Sequence, residues 1–313
     1  MKYRNLLWLS ILAFFIIFNS CIQSQEKEKT ISKTDYSFGL KEAKQIKKEL
    51  RNQDYIKVDT LIGRLSSDNV SHVVDYLALN SGEEQLKKWN SESNTSNSSL
   101  LVLGVFYAHK GWAIRGNSYA FDVNEDDAFS FVDYQNQALK LLSQIKNNKV
   151  LIAEAYSRLI RIHMGLGNNE KGKEAFEKCI ELDPLKVWAY VHRLETIQPK
   201  WGGTLEETIS FKLLLPDSDL IKQIVDLKIL IDSFISGDNL MSHDAIDLKK
   251  EGAIIIKRID EELSSNPHES ILKFMIYNYM VGVSQEIENK NLLNKYFQKM
   301  KDHYTLYPFG IME

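Results

Sequence analysis

A helical hairpin written between Ala153 and Pro184 constrains this chain more than any other feature. Tyr156 and Leu159 lie about one turn apart, Gly167 interrupts the run, and Phe176 with Ile180 brings an apolar face back before Leu182, Asp183 and Pro184 close the unit. Apolar residues recurring every three or four positions put one stripe on each helix, and glycine permits the reversal between them. Proline ends the second helix because it has no amide hydrogen to give, and it can open the next. One such hairpin cannot cover its own apolar face, so neighbouring helices must do so.

The rest of the chain is written in the same way. Apolar positions recur at helical spacing from Phe38 to Leu50, and Tyr55, Val58, Leu61, Ile62 and Leu65 repeat the pattern after a break at 52–54. Further amphipathic runs fall at 69–80, 83–90, 99–114, 125–146, 150–166, 169–182, 186–197, 204–214, 218–236, 244–264, 268–283 and 289–306. Leu272, Met275, Ile276 and Tyr279 pair with Leu293, Tyr296, Phe297 and Met300 as a second hairpin, and Asn266-Pro267 and Tyr307-Pro308 each close a helix. With only five prolines and few alternating β-branched runs, the expectation is an all-α domain over 35–313. The Ser- and Asn-rich stretch Ser91–Ser99 reads as an exposed loop and the place for a sub-boundary.

The Ala153–Pro184 unit resembles a tetratricopeptide repeat, which implies an irregular α-solenoid of stacked hairpins. It departs from that family where small side chains are wanted: Ile160 and Cys179 stand at two such positions, and Gly172 takes the usual alanine place. Helix packing there is expected to be looser or more splayed.

The first twenty residues read as an export signal: Lys2 and Arg4, then an apolar run from Leu6 to Phe18. That run is about 13 residues, against the roughly 20 that a membrane-spanning helix needs, so it reads as a segment to be cut off. Phe18, Asn19, Ser20 and Cys21 resemble the lipobox of bacterial lipoproteins, with phenylalanine in place of the usual leucine and an unusual asparagine. The resemblance implies cleavage before Cys21 and lipid on its thiol. Two or more acyl chains, at about 0.8 kcal/mol per buried methylene, would anchor the chain stably. The alternative is a secreted protein cut near Ser20 with Cys21 incidental. Residues 21–34, with Glu26, Lys27, Glu28 and Lys29 alternating in sign, cannot build a core and read as a flexible tether. Ile22 stands where an inner-membrane retention signal would usually place aspartate, so by resemblance the outer membrane is favoured.

With Cys21 lipidated only Cys179 remains, and a single thiol leaves stability to packing. The chain has 39 basic and 42 acidic residues; losing Lys2 and Arg4 with the signal leaves a net charge of −5. A mildly acidic exported chain offers no basic face for nucleic acid. The seven histidines (72, 109, 163, 192, 243, 268 and 303) show no metal-binding spacing, and there is no phosphate-cradling glycine loop, nucleophile-elbow serine or cysteine pair. His243-Asp244 reads as a helix start capped by Ser242 or Asp244. No catalytic residue, cofactor or metal site is assigned.

Two constellations combine tryptophan with glycine: Trp112, Arg115 and Gly116, followed by Tyr119, and Pro199, Lys200, Trp201, Gly202 and Gly203. Over about 37–211 they resemble an uncharacterised bacterial family of tetratricopeptide-like proteins, a likeness that implies fold and carries no activity. Read as structure, Trp112 anchors the core, Arg115 pairs with Asp122 or Glu125, and Gly202-Gly203 turns the chain before a helix capped by Thr204. Read as function, Trp112 and Trp201 flank a groove and offer flat faces to a sugar or peptide, while Arg115 binds a carboxylate. The leading expectation is a membrane-tethered interaction scaffold for a protein or peptide of the cell envelope. The alternatives are a glycan- or small-ligand-binding lipoprotein, and an enzyme whose groups converge without a local motif.

Overall fold

The computed structural model describes residues 37–116, 122–237, 239–242, 244, 246–265 and 270–300. The signal segment, Cys21 and the tether, Tyr119, His243, Pro267, His268, His303 and Pro308 lie outside them. Among the described residues there are fourteen α-helices and no strand. In order they are α1 Lys41–Arg51, α2 Tyr55–Ile62, α3 Ser67–Asn80, α4 Glu83–Glu92, α5 Asn97–Arg115, α6 Glu125–Leu142 and α7 Lys149–Gly165. Then come α8 Asn169–Leu182, α9 Val187–Thr196, α10 Leu205–Phe211, α11 Asp219–Ser236, α12 Leu248–Ser265, α13 Ile271–Glu286 and α14 Lys290–Met300. None is long and apolar enough to cross a membrane.

Most helices begin where a side-chain oxygen takes an orphan amide of the first turn. Asp54 accepts from Lys57 N at 3.2 Å, Asn124 from Asp127 N at 2.8 Å and Asn148 from Leu151 N at 3.1 Å. Thr204 and Glu207 form a reciprocal capping box before α10. Three expected boundaries are corrected. The 244–264 helix starts at Leu248, because Asp247 rather than Ser242 or Asp244 accepts from Lys249 N and Lys250 N. The 125–146 helix stops at Leu142, and Lys146 N is held by the Asn97 side chain at 3.1 Å. The 204–214 helix narrows into a 3₁₀ turn at Lys212–Leu214, since Pro216 disfavours helical backbone at Leu215.

The exposed loop expected over Ser91–Ser99 is shortened to 93–96, where Asn94 and Thr95 are exposed. Helix α4 runs to Glu92, Ser96 caps α5 by accepting from Ser99 N at 3.2 Å, and Ser98 and Ser99 are buried. Serine there caps and packs.

Consecutive helices form antiparallel hairpins, α5 with α6, α7 with α8 and α13 with α14, stacked in a solenoid-like array. The odd-numbered helices α3, α5, α7, α9, α11 and α13 follow one another along one side, and the row turns back until α13 touches α3, which also lies against α7. One core of buried apolar side chains runs through the array from Phe38 to Met300. The second predicted hairpin contributes Met275, Ile276 and Tyr279 from α13, and Tyr296 and Met300 from α14. Packing at α7 and α8 is tighter than expected: a Cβ at Gly172 would stand 3.3 Å from the Ile160 carbonyl oxygen. Glycine here lets the two backbones approach, and the Cys179 thiol donates to the Ala153 carbonyl at 3.2 Å.

Candidate functional site

Helices α5, α7 and α9 end near one another, and the side chains of their last turns converge. Helix α5 finishes at Gly116, a position of positive φ (66°). Helix α7 finishes at Gly165, where a Cβ would meet the Phe131 ring at 2.7 Å and Trp112 at 3.2 Å, so the missing side chain makes room for both. After α9 the chain makes the 3₁₀ turn Pro199–Trp201, and Gly202 turns it in the left-handed region (φ 88°). Asn169 at the start of α8 donates to the Trp201 carbonyl at 3.3 Å and ties this turn to the α7–α8 hairpin.

Trp112, Arg115 and Trp201 therefore meet. The two indoles pack edge to face, with centroids 5.7 Å apart and planes at 88°, and Phe131 stands edge-on to Trp112 at 4.9 Å. The Arg115 guanidinium lies 5.1 Å from the Trp201 ring, 5.5 Å from Trp112 and 6.0 Å from Phe131, and also donates to the Gly116 carbonyl at 3.2 Å. A residue the sequence did not single out completes the group. Arg161 of α7 places its guanidinium 4.6 Å from the Trp112 ring and forms an ion pair with Glu195 of α9 at 3.3 Å. Each stacked cation is worth about 0.5–2 kcal/mol, more as it loses water.

This geometry changes two expectations. Trp112 is half-buried rather than a core anchor, and so is Trp201. The indoles also do not face each other across a groove: they touch, with guanidinium groups against their rings. What the surface presents is a pair of arginines held by aromatic side chains. Burial and the neighbouring Arg161 charge both lower the Arg115 guanidinium from its ordinary value; arginine nonetheless stays protonated at neutral pH. Burial alone would raise the Glu195 carboxyl, but Arg161, Lys228 and Lys200 outweigh it and hold it below the usual range.

Deeper between α3, α5, α7 and α9 lies a buried network of charge. Arg158 of α7 forms a fork with Asp75 of α3 at 2.9 and 3.0 Å, donates to Glu154 at 2.6 Å and reaches the Ser71 carbonyl at 3.1 Å. Lys186 pairs with Glu154 at 2.6 Å and donates to the Ser67 carbonyl at 2.7 Å, and His109 contacts Asp75 at 2.9 Å. All four charged residues are almost fully buried. Two carboxylates face two cations, so the charges balance and their hydrogen bonds are mutual, the condition under which buried ions are tolerable. Burial pushes His72 and His192 down to about 4, which leaves both neutral beside this network. Burial likewise pushes the Cys179 thiol up to about 12, far from a nucleophile's range. No group of metal-ligating side chains occurs among the described residues.

Arg158, Arg161 and Glu154 share one signal in the sequence. Helix α7 is apolar on nearly every face, and these three fall at positions i, i+4 and i+7, so they form a single polar stripe on a helix otherwise built for the interior. A stripe of that kind must find partners inside the protein or line a site. Compared with known proteins, the chain matches no family model, no curated protein and no solved structure.

Proposed function

We propose that this protein is a lipid-tethered scaffold of the cell envelope that holds an acidic segment of a partner protein or peptide against Arg115, Arg161, Trp112 and Trp201. The observation that carries the reading is the convergence of two guanidinium groups on one tryptophan ring at the ends of α5 and α7. Arginine's planar fork suits carboxylate, and stacking fixes the fork before a partner arrives, so less freedom is lost on binding. Glu195 on Arg161 is an intramolecular example of the group such a site takes.

The anchor in this reading is lipid on Cys21, with residues 21–34 as tether and the outer membrane as the favoured location. It rests on the charged start, the short apolar run and the Phe18–Cys21 motif. The tetratricopeptide-like unit at Ala153–Pro184 fits the same role, since arrays of helical hairpins present extended binding surfaces. A glycan-binding reading calls for flat indole faces open to a sugar, and edge-to-face packing with arginines on the rings does not favour it.

Binding of end-capped octapeptides that are acidic, neutral or basic, followed by intrinsic tryptophan fluorescence, tests the proposal. Acidic peptides should bind, and a protein carrying both Arg115→Gln and Arg161→Gln should lose that binding while keeping its helical circular dichroism. Equal response to all three peptide classes, or full binding by the double variant, would refute it.

A further inference from the structure

One charge at the tryptophan site works against the others. Arg115 and Arg161 set two guanidinium groups against the Trp112 ring, at 5.5 and 4.6 Å from its centroid. Glu195 of α9 opposes them: its carboxylate lies 3.3 Å from Arg161 Nε, the one ion pair of that guanidinium among the described residues. The pair is not a hydrogen bond. Arg161 Nε is closed off from solvent and has no hydrogen-bond partner, and among the described residues the two Nη groups have none either. Arg161 is 30% exposed and Glu195 16%, so the arginine is within reach of an outside group while the carboxylate is held mostly inside.

Glu195 keeps its charge. Burial opposes it, but Arg161, Lys228 and Lys200 outweigh that penalty. Lys228 is itself paired with Asp232 at 2.6 Å, and Lys200 is exposed beside Trp201, where water and salt screen it. The half-buried charges nearest the rings are therefore two guanidinium groups and one carboxylate. An incoming anion is drawn by the first and repelled by the second in proportion to its own charge, while the hydration it gives up grows faster than that charge. Glu195 handicaps a dianion more than a monoanion.

We propose that Glu195 is the specificity-determining residue of this site, limiting the pull of Arg115 and Arg161 so that the site takes a single carboxylate in preference to a doubly charged phosphoryl group. This deepens the acidic-partner reading and rests on it. Two end-capped octapeptides that differ only in a central aspartate or phosphoserine, titrated at pH 8 and followed by intrinsic tryptophan fluorescence, test it; phosphoserine then carries close to two charges. The parent should bind the aspartate peptide more tightly. Glu195→Gln keeps the shape, removes the charge and should tighten both. The gain should be at least about threefold for aspartate, the water-screened limit for unit charges about 6 Å apart, and about tenfold for phosphoserine, the square of that factor. Glu195→Asp keeps the charge and should keep the parent's order of preference, which separates charge from fit. An unchanged or weaker affinity in Glu195→Gln, an equal gain for the two peptides, or a preference for phosphoserine in the parent or in Glu195→Asp would overturn this inference and leave the acidic-partner reading in place. A parent that binds neither peptide would overturn both.

Discussion

Replacing Arg158 with methionine tests the buried charge network most severely. The side chain is 6% exposed and donates to Glu154, twice to Asp75 and to the Ser71 carbonyl. Methionine fills much of the volume but takes the guanidinium fork away from Asp75, which keeps its contact with His109, and leaves Glu154 with Lys186 and Ser71. Removing one partner of a buried ion pair costs about 3–5 kcal/mol because the orphaned charge stays behind. In a protein of this size that corresponds to a fall in melting temperature on the order of 10 °C. The pH dependence adds a sign. Burial alone would raise both carboxyls, yet Arg158 and its fellow cations hold Asp75 and Glu154 below their ordinary values. Their contribution is therefore complete above the unfolded carboxylate range of about 4 and is lost as pH falls through the lower folded values. Without Arg158 that depression is relieved, so the gap between Arg158→Met and the parent should narrow below about pH 4. Urea unfolding between pH 3 and pH 7 measures it. A loss under about 1 kcal/mol at pH 7, or a gap unchanged with pH, would refute the reasoning.

Four further outcomes are expected. Stability should fall as pH drops from about 6.5 to 4, because the unfolded chain protonates imidazoles that folded His72 and His192 refuse until about 4; each is worth on the order of 3 kcal/mol. His72→Phe should flatten part of that slope in denaturant titrations, since the ring already packs between Phe38 and Trp188 and its Nε2 has no partner. Gly203→Ala should destabilise the protein by about 3 kcal/mol in thermal melts, because its Cβ would stand 1.9 Å from the Ile197 carbonyl oxygen. Cys21→Ser should move the protein from the membrane fraction to the soluble fraction of lysed cells; retention in the membrane would count against the lipid anchor.

Much of the fold is legible in the sequence because helix ends announce themselves chemically. Asn124, Asn148 and Thr204 sit directly before apolar periodicity, and each caps a helix that starts one residue later. One end that sequence misplaces is set by a contact from elsewhere, where Asn97 holds Lys146; the ends near Leu248 and Lys212 are set by Asp247 and Pro216, their neighbours in the chain. The site is half legible. Tryptophan and glycine in short motifs mark Trp112, Arg115 and Trp201, but periodicity carries no information on which turns meet, so the stacking of Arg161 on Trp112 is out of reach. The charge network hides for a related reason: Glu154 and Arg158, four residues apart, look like a solvated surface pair until α3 is laid across them. Only the apolar surroundings of that pair in α7 hint that it is internal.

The partner-contact reading is tested most directly by the indole N–H signals in a proton–nitrogen NMR spectrum during titration with an acidic capped peptide. Trp89 and Trp188 are core residues, 0% and 2% exposed, and serve as internal controls against half-buried Trp112 and Trp201. The account predicts that the Trp112 and Trp201 signals move together and saturate while the other two stay in place. Signals that shift equally for all four, or no shift at Trp112 and Trp201 at saturating peptide, would contradict it.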